Sequence, residues 1–232
     1  AMPRLIEPQN DGTIQQRTFV CFILDASGSM QEHKAQVLSG YREYVETLQR
    51  EAGDIRFGLT TFNTECRLVV PPGMPIALVQ PLTEETYQAA GMTALYDAIA
   101  ETVAAMEAWL PEGGDWRTLC IILTDGAENS SRMQTKETIR ALIEAKEATG
   151  RWTFTYLGAN QDAWVEASKM GMAVGNVAGY AVADMVGTMR MAAASTVTYQ
   201  ARVDRRSVEF YNNPPLPDDP RTWFDNKTDD PK

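Results

Sequence analysis

The stretch that decides the fold is Phe19-Val20-Cys21-Phe22-Ile23-Leu24-Asp25-Ala26-Ser27-Gly28-Ser29. It begins with an apolar run without alternation, which is typical of a strand buried on both faces in the centre of a parallel sheet. Asp25, Ser27 and Ser29 then follow at the carboxyl end of that strand, where open α/β sheets place their ligand sites. One carboxylate and two hydroxyls so close in sequence can converge on a small cation that prefers oxygen ligands.

Two later segments add further oxygen ligands. Thr93 stands at a predicted loop-to-helix boundary, and Asp125 follows a second buried strand just before the glycine turn at Gly126. Each residue also has an ordinary structural interpretation, because serine and threonine commonly cap helices and Asp-Gly commonly forms turns. The ordered combination, on the ends of predicted strands and helices, favours a metal site over three independent caps and turns.

The pattern Asp-x-Ser-x-Ser, then a distant Thr, then a distant Thr-Asp-Gly resembles the metal-ion-dependent adhesion site (MIDAS) of von Willebrand factor A (vWA) domains. The resemblance covers roughly residues 15–200. It implies that the hydroxyls supply neutral oxygens, while the carboxylates act partly through water or by orienting the hydroxyls. One coordination position is then open to a carboxylate of a partner, and Mg²⁺ fits best, with Mn²⁺ also suitable. The implied metal-site residues are Asp25, Ser27, Ser29, Thr93 and Asp125.

The loops around this site are expected to form a partner-binding surface. Met92 departs from the family pattern, which often has a glycine there. Met92 and Met30 are expected either to offer apolar contacts beside the ion or simply to pack against the protein. The predicted partner-binding residues are Met30, Gln31, Met92, Tyr96, Glu128 and Asn129.

The alternation of strand and amphipathic helix patterns predicts an α/β fold with a doubly wound, mostly parallel sheet. A hairpin from residues 55–61 to 66–70 predicts one antiparallel edge strand, ended by the proline-rich residues 71–75. The whole is expected to be a Rossmann-like three-layer sandwich. We predict three segments, which are an N-terminal leader or expression scar at 1–14, the vWA domain at 15–203 and a Pro/Asp-rich tail at 204–232.

Composition excludes several classes of function. The formal charge of −10 disfavours nucleic-acid binding, which needs concentrated Lys and Arg. The three cysteines are an odd number in largely apolar surroundings, which favours a reducing compartment over a disulfide framework. We see neither an apolar run long enough for a membrane span nor a signal peptide, so a cytoplasmic location is expected.

These observations predict a binding module and not an enzyme. The resemblance is to stand-alone bacterial or phage vWA proteins, and it implies a protein partner offering Asp or Glu, with a AAA+ ATPase as one candidate. A Mg²⁺-dependent phosphoesterase-like enzyme is the first alternative, with His33 or Glu128 as conceivable bases. The second is a self-assembling structural protein whose own acidic tail is the ligand. That tail could also dock intramolecularly through Tyr211, Trp223 and Phe224.

Overall fold

The computed structural model describes residues 16–159, 163–202 and 206–211. Within these ranges six strands form one sheet in the order β3-β2-β1-β4-β5-β6. Every neighbouring pair is parallel except β2–β3, which is antiparallel and lies at the sheet edge. The strands are β1 (Arg17–Asp25), β2 (Ile55–Phe62), β3 (Cys66–Pro75), β4 (Trp116–Thr124), β5 (Trp152–Gly158) and β6 (Val177–Gly179). The helices are α1 (Lys34–Glu51), α2 (Leu95–Glu107), α3 (Lys136–Ala148), α4 (Ala163–Lys169) and α5 (Met185–Ala201).

The central strand β1 separates two hydrophobic cores. Val20, Phe22 and Leu24 face one core, which also contains buried residues of α1 and α5. The alternate residues, such as Cys21 and Ile23, face a second core with buried residues of α2, α3 and α4. Because helices cover both faces, both sets of β1 side chains must be apolar. The prediction of a doubly wound, mostly parallel sheet with one antiparallel edge strand is therefore confirmed.

The edge strand is longer than expected, and the prediction that residues 71–75 end it is wrong. β3 continues through the prolines to Pro75, with register shifts opposite residues 57–60 of β2. An edge strand tolerates proline because one side of its backbone needs no donor. The backbones of β2 and β3 come close at Gly58, where an added Cβ would lie 3.0 Å from the Cα of Pro72.

The helix boundaries follow local chemistry. The sequence favours a first helix from about residue 32, but residues Gly28–His33 form a 3₁₀ segment and α1 begins at Lys34. Thr135, which the sequence favours as the start of a helix, caps α3, and Gly150 follows that helix with a φ of 71°, a conformation that favours glycine. The sequence also favours Asn160 or Asp162 as the start of the next helix, and both residues lie outside the described residues. No helix that the structure describes combines the length and apolar character needed to cross a membrane.

Residues 206–211 lie across the β5–β6 side of the sheet, and we call them the strap. The Tyr211 amide donates to the carbonyl of Gly175 (2.9 Å), and its hydroxyl donates to Oγ1 of Thr155 (3.2 Å). Phe210 and Tyr211 are both buried. Tyr211 thus holds the strap to the domain, whereas Trp223 and Phe224 lie outside the described residues. The segment boundaries at 14 and 203 stay predictions.

Candidate metal centre

The centre begins at Asp25, the last residue of β1. Parallel pairing of β1 with β4 sets Leu24 opposite Leu123, which brings Asp25 beside the end of β4. The Asp25 side chain is fully buried, and both of its oxygens are held by neighbours. Oδ1 accepts from the amide of Ser27 (2.7 Å), and Oδ2 accepts from the hydroxyl of Thr124 (2.6 Å). The carboxylate is therefore fixed in orientation by the end of β4 and by the loop that follows β1.

A chain of hydroxyls joins this end of β1 to the second carboxylate. The Ser27 and Ser29 hydroxyl oxygens are 3.1 Å apart, and Ser29 donates to Oδ1 of Asp125 at 2.6 Å. Ser27 is buried, Asp125 is half-buried and Ser29 is exposed. Four of the five predicted ligands thus form one compact set of oxygen atoms that opens to solvent at Ser29.

Thr93 lies next to this set and is almost completely buried. A Cβ placed on Gly126 would lie 3.4 Å from the Thr93 hydroxyl oxygen, so that hydroxyl faces the residue beside Asp125. Asn129 holds Thr93 from the other side, because its side chain accepts from the Thr93 amide (2.9 Å) and its own amide donates to the Thr93 carbonyl (3.0 Å). The loop after β4 therefore positions the fifth predicted ligand.

Two further residues shape the centre. Thr124 orients Asp25 and also accepts from the amide of Gly126 at 3.1 Å. Its place in the Thr-Asp-Gly motif was a usable signal for this role. The Tyr87 hydroxyl donates to the Asp25 carbonyl at 2.6 Å. Tyr87 lies in the long connection before α2, where no local pattern predicts the contact.

The electrostatics of the centre suit a cation. Burial raises the pKa of Asp25, bonds from Thr124 and Ser27 lower it, and the charge of Asp125 raises it again. A positive charge at this position would stabilise both carboxylates. Within the described ranges, no three or more His, Cys, Asp or Glu side chains form a metal-binding group. The fit therefore depends on three hydroxyls added to two carboxylates, an all-oxygen set that suits Mg²⁺ or Mn²⁺.

The predicted partner-binding residues fall into two groups. Gln31 and Met92 are exposed, Met92 with 51% of its surface accessible, and Tyr96 is half-buried. Met30 is 0% exposed in the core, and this placement removes it from the predicted surface. Of the two alternatives expected for Met30, the structure shows the one in which it packs against the protein, because the 3₁₀ segment turns its side chain inward.

Glu128 and Asn129 organise the loop after β4. The Glu128 carboxylate accepts from the amide of Tyr96 (2.9 Å) at the start of α2 and from the amides of Ser130 (2.8 Å) and Ser131 (2.6 Å). A carboxylate at a helix N-terminus is favourable because the first amides have no partner within the helix. Asn129 is exposed while its side chain holds Thr93. Both residues are thus engaged in holding the centre together.

Residues 20–186 match the model of the von Willebrand factor type A domain family, so this chain belongs to that family. No curated protein matches the sequence. Several solved structures share the fold at low identity. Proximal thread matrix protein 1 from the mussel byssus is 15% identical, with a TM-score of 0.58 over 81% of this chain and 48% of its own. A von Willebrand factor type A protein from Catenulispora acidiphila is 19% identical, with a TM-score of 0.58 over 79% of this chain and 43% of its own.

A third similar structure is the vWF domain of the type V pili tip protein Mfa5 from Porphyromonas gingivalis. It is 10% identical, with a TM-score of 0.61 over 83% of this chain and 99% of that chain. This chain thus spans less than half the length of the first two structures but nearly all of the third.

Proposed function

We propose that this protein is a metal-dependent interaction module in which one Mg²⁺ or Mn²⁺ accepts an acidic residue of a protein partner. The observation that carries the proposal is the continuous set of oxygens from Asp25 through Ser27 and Ser29 to Asp125. The residues that would hold the cation are Asp25, Ser27, Ser29, Thr93 and Asp125.

Each residue has a separate task in this proposal. Asp25 is the buried, rigid end of the set, because Thr124 and the Ser27 amide fix both of its oxygens. Ser29 is the exposed end and lies where an approaching partner meets the centre. With few anionic ligands, a bound cation supplies an electrophilic position for a carboxylate. Because Asp25 is buried and Ser29 is exposed, a partner would reach the centre from the Ser29 side.

Binding and not catalysis is the activity that we propose. One similar structure is a domain of a pili tip protein, and this supports an interaction or adhesion role for the fold. The candidate centre presents hydroxyls that are themselves hydrogen-bonded to carboxylates, an arrangement suited to holding a cation. Residence in the cytoplasm, a bacterial or phage origin and a AAA+ ATPase as partner are parts of this hypothesis that depend on the sequence resemblance.

The test is selection from a library of acidic and neutral peptides in Mg²⁺, with elution by EDTA. We expect eluted peptides to contain Asp or Glu and to lose binding to the Asp25→Asn variant. Asp54→Asn, an acidic residue paired with Arg17 at the other end of the sheet, is the matched control. Peptides that bind equally in EDTA would contradict the proposal. Magnesium-dependent turnover of phosphomonoesters would instead support the phosphoesterase alternative.

A further inference from the structure

Tyr180 directly follows β6, at the end of the sheet that carries the candidate metal centre. Its amide donates to the carbonyl of Gly158 at 2.9 Å. Gly158 in turn pairs with Thr124 across β4–β5, and Thr124 precedes the candidate ligand Asp125. Tyr180 is therefore connected to the centre through the ends of two neighbouring strands.

Tyr180 and Asp125 also share one face of the sheet. Ile121 and Leu123 of β4 belong to the core on the α1 and α5 side, and Tyr180 belongs to the same core. Since alternate residues of a strand point to the same face, Asp125 follows Ile121 and Leu123 on that side, just past the end of β4. The side chain of Tyr180, with 2% of its surface accessible, is thus buried on the side of the sheet to which Asp125 belongs.

The hydroxyl group of Tyr180 is buried and has no hydrogen-bond partner among the residues that the structure describes. Tyr87, in the same core, differs because its hydroxyl donates to the Asp25 carbonyl. Burial raises the pKa of Tyr180, and the charges of Asp125 and Asp25 raise it further, so its hydroxyl lies near both candidate ligands. A buried hydroxyl without a partner is unfavourable, and a buried water commonly supplies its hydrogen bond.

We propose that Tyr180 is a positioning residue of the metal centre, whose hydroxyl donates to one buried water that in turn donates to the carboxylate of Asp125. Asp125 lies beyond the end of β4 and accepts from Ser29 at 2.6 Å, and a carboxylate has room for further donors. The bridge holds Asp125 in place for the cation, as outer-shell groups do for metal ligands. This inference depends on the proposed function, because it concerns a ligand of the same cation.

The test is calorimetric titration with Mn²⁺ of the wild type, Tyr180→Phe and Tyr41→Phe. Tyr41 of α1 is the matched control, because its hydroxyl is also buried in the same core without a described partner. Burial is the cause that raises the pKa of Tyr41, whereas the carboxylates of the centre act on Tyr180. We expect Tyr180→Phe to weaken Mn²⁺ binding about tenfold, as is usual for the loss of an outer-shell partner, and Tyr41→Phe to leave it unchanged.

Urea unfolding in EDTA separates positioning from packing. Removing a hydroxyl that has no protein partner should not destabilise the metal-free protein, so we expect neither variant to unfold more easily than the wild type. A less stable Tyr180→Phe protein in EDTA, unchanged Mn²⁺ affinity in that variant, or equal weakening by Tyr41→Phe would overturn the inference. In each of these cases Mn²⁺ binding by the wild type leaves the proposed function standing, whereas no binding by the wild type would overturn both proposals.

Discussion

The two ends of the central strands each bury one charged side chain, and the two side chains, of opposite charge, have different hydrogen-bond partners. At the amino end of β4, Arg117 is 0% exposed, and its guanidinium donates to the hydroxyl of Thr18 (3.2 Å) and to the carbonyls of Arg202 (3.0 Å) and Gln200 (2.5 Å). It also lies 4.8 Å from the ring centre of Tyr199. At the carboxyl end of β1, Asp25 is equally buried but is held by neutral donors.

The difference shows how a structural charge is distinguished from a functional one. Arg117 meets the carbonyls that end α5, which carry the negative end of the helix dipole, so its charge is compensated within the fold. Asp25 instead has a second carboxylate nearby, and burial raises its pKa. The charge of Arg117 at the amino end is therefore compensated by protein groups, whereas an added cation would stabilise the charge of Asp25 at the carboxyl end.

Removing the compensated charge should give the largest loss of stability. Arg117→Met leaves the α5 carbonyls without their buried donor, and we expect a loss of about 3 kcal/mol in the free energy of unfolding. At this chain length that corresponds to a fall of roughly 10 °C in Tm. Thermal unfolding followed by circular dichroism measures it, with Arg42→Met as the exposed control. A Tm within a degree of the wild type would show that Arg117 does not hold α5.

A matched pair of threonine variants should separate the two ends. Thr18→Val removes a partner of Arg117, and Thr124→Val removes a partner of Asp25, each at nearly constant volume. We expect both to lower the free energy of unfolding by about 1 kcal/mol. Only Thr124→Val should weaken Mn²⁺ binding, by about tenfold, because Asp25 loses its fixed orientation. Urea unfolding and metal titration of both variants check this, and equal metal affinities of the two variants would contradict the role of Thr124 in orienting Asp25.

Chelation should have the smallest effect on stability. The two cores on either side of β1 consist of buried apolar side chains, and the candidate ligands lie at the carboxyl ends of the central strands, outside these cores. Stabilisation by a ligand depends on its occupancy, so EDTA should shift Tm by no more than a few degrees. Differential scanning calorimetry with and without Mg²⁺ measures the shift. Unfolding at room temperature in EDTA would mean that the ion is part of the fold.

The sequence predicted those parts of the molecule that depend on local patterns. Unbroken apolar runs identified β1 and β4, and parallel strand ends brought Asp25 and Asp125 together as expected. Distant contacts could not be seen in this way. The role of Arg117 depends on residues more than eighty positions away at the end of α5. Tyr87 reaches Asp25 from a connection without periodicity, and the inward turn of Met30 depends on a 3₁₀ segment with no distinct signal.

The central claim is that the oxygens around Asp25 bind one divalent cation, and calorimetric titration with Mn²⁺ tests it most directly. Asp25→Asn keeps the shape of the side chain and removes its charge, while Asp54→Asn makes the same change at the other end of the sheet. We predict one site in the wild type and in Asp54→Asn, and no measurable binding in Asp25→Asn. Equal binding by the wild type and Asp25→Asn would contradict the account.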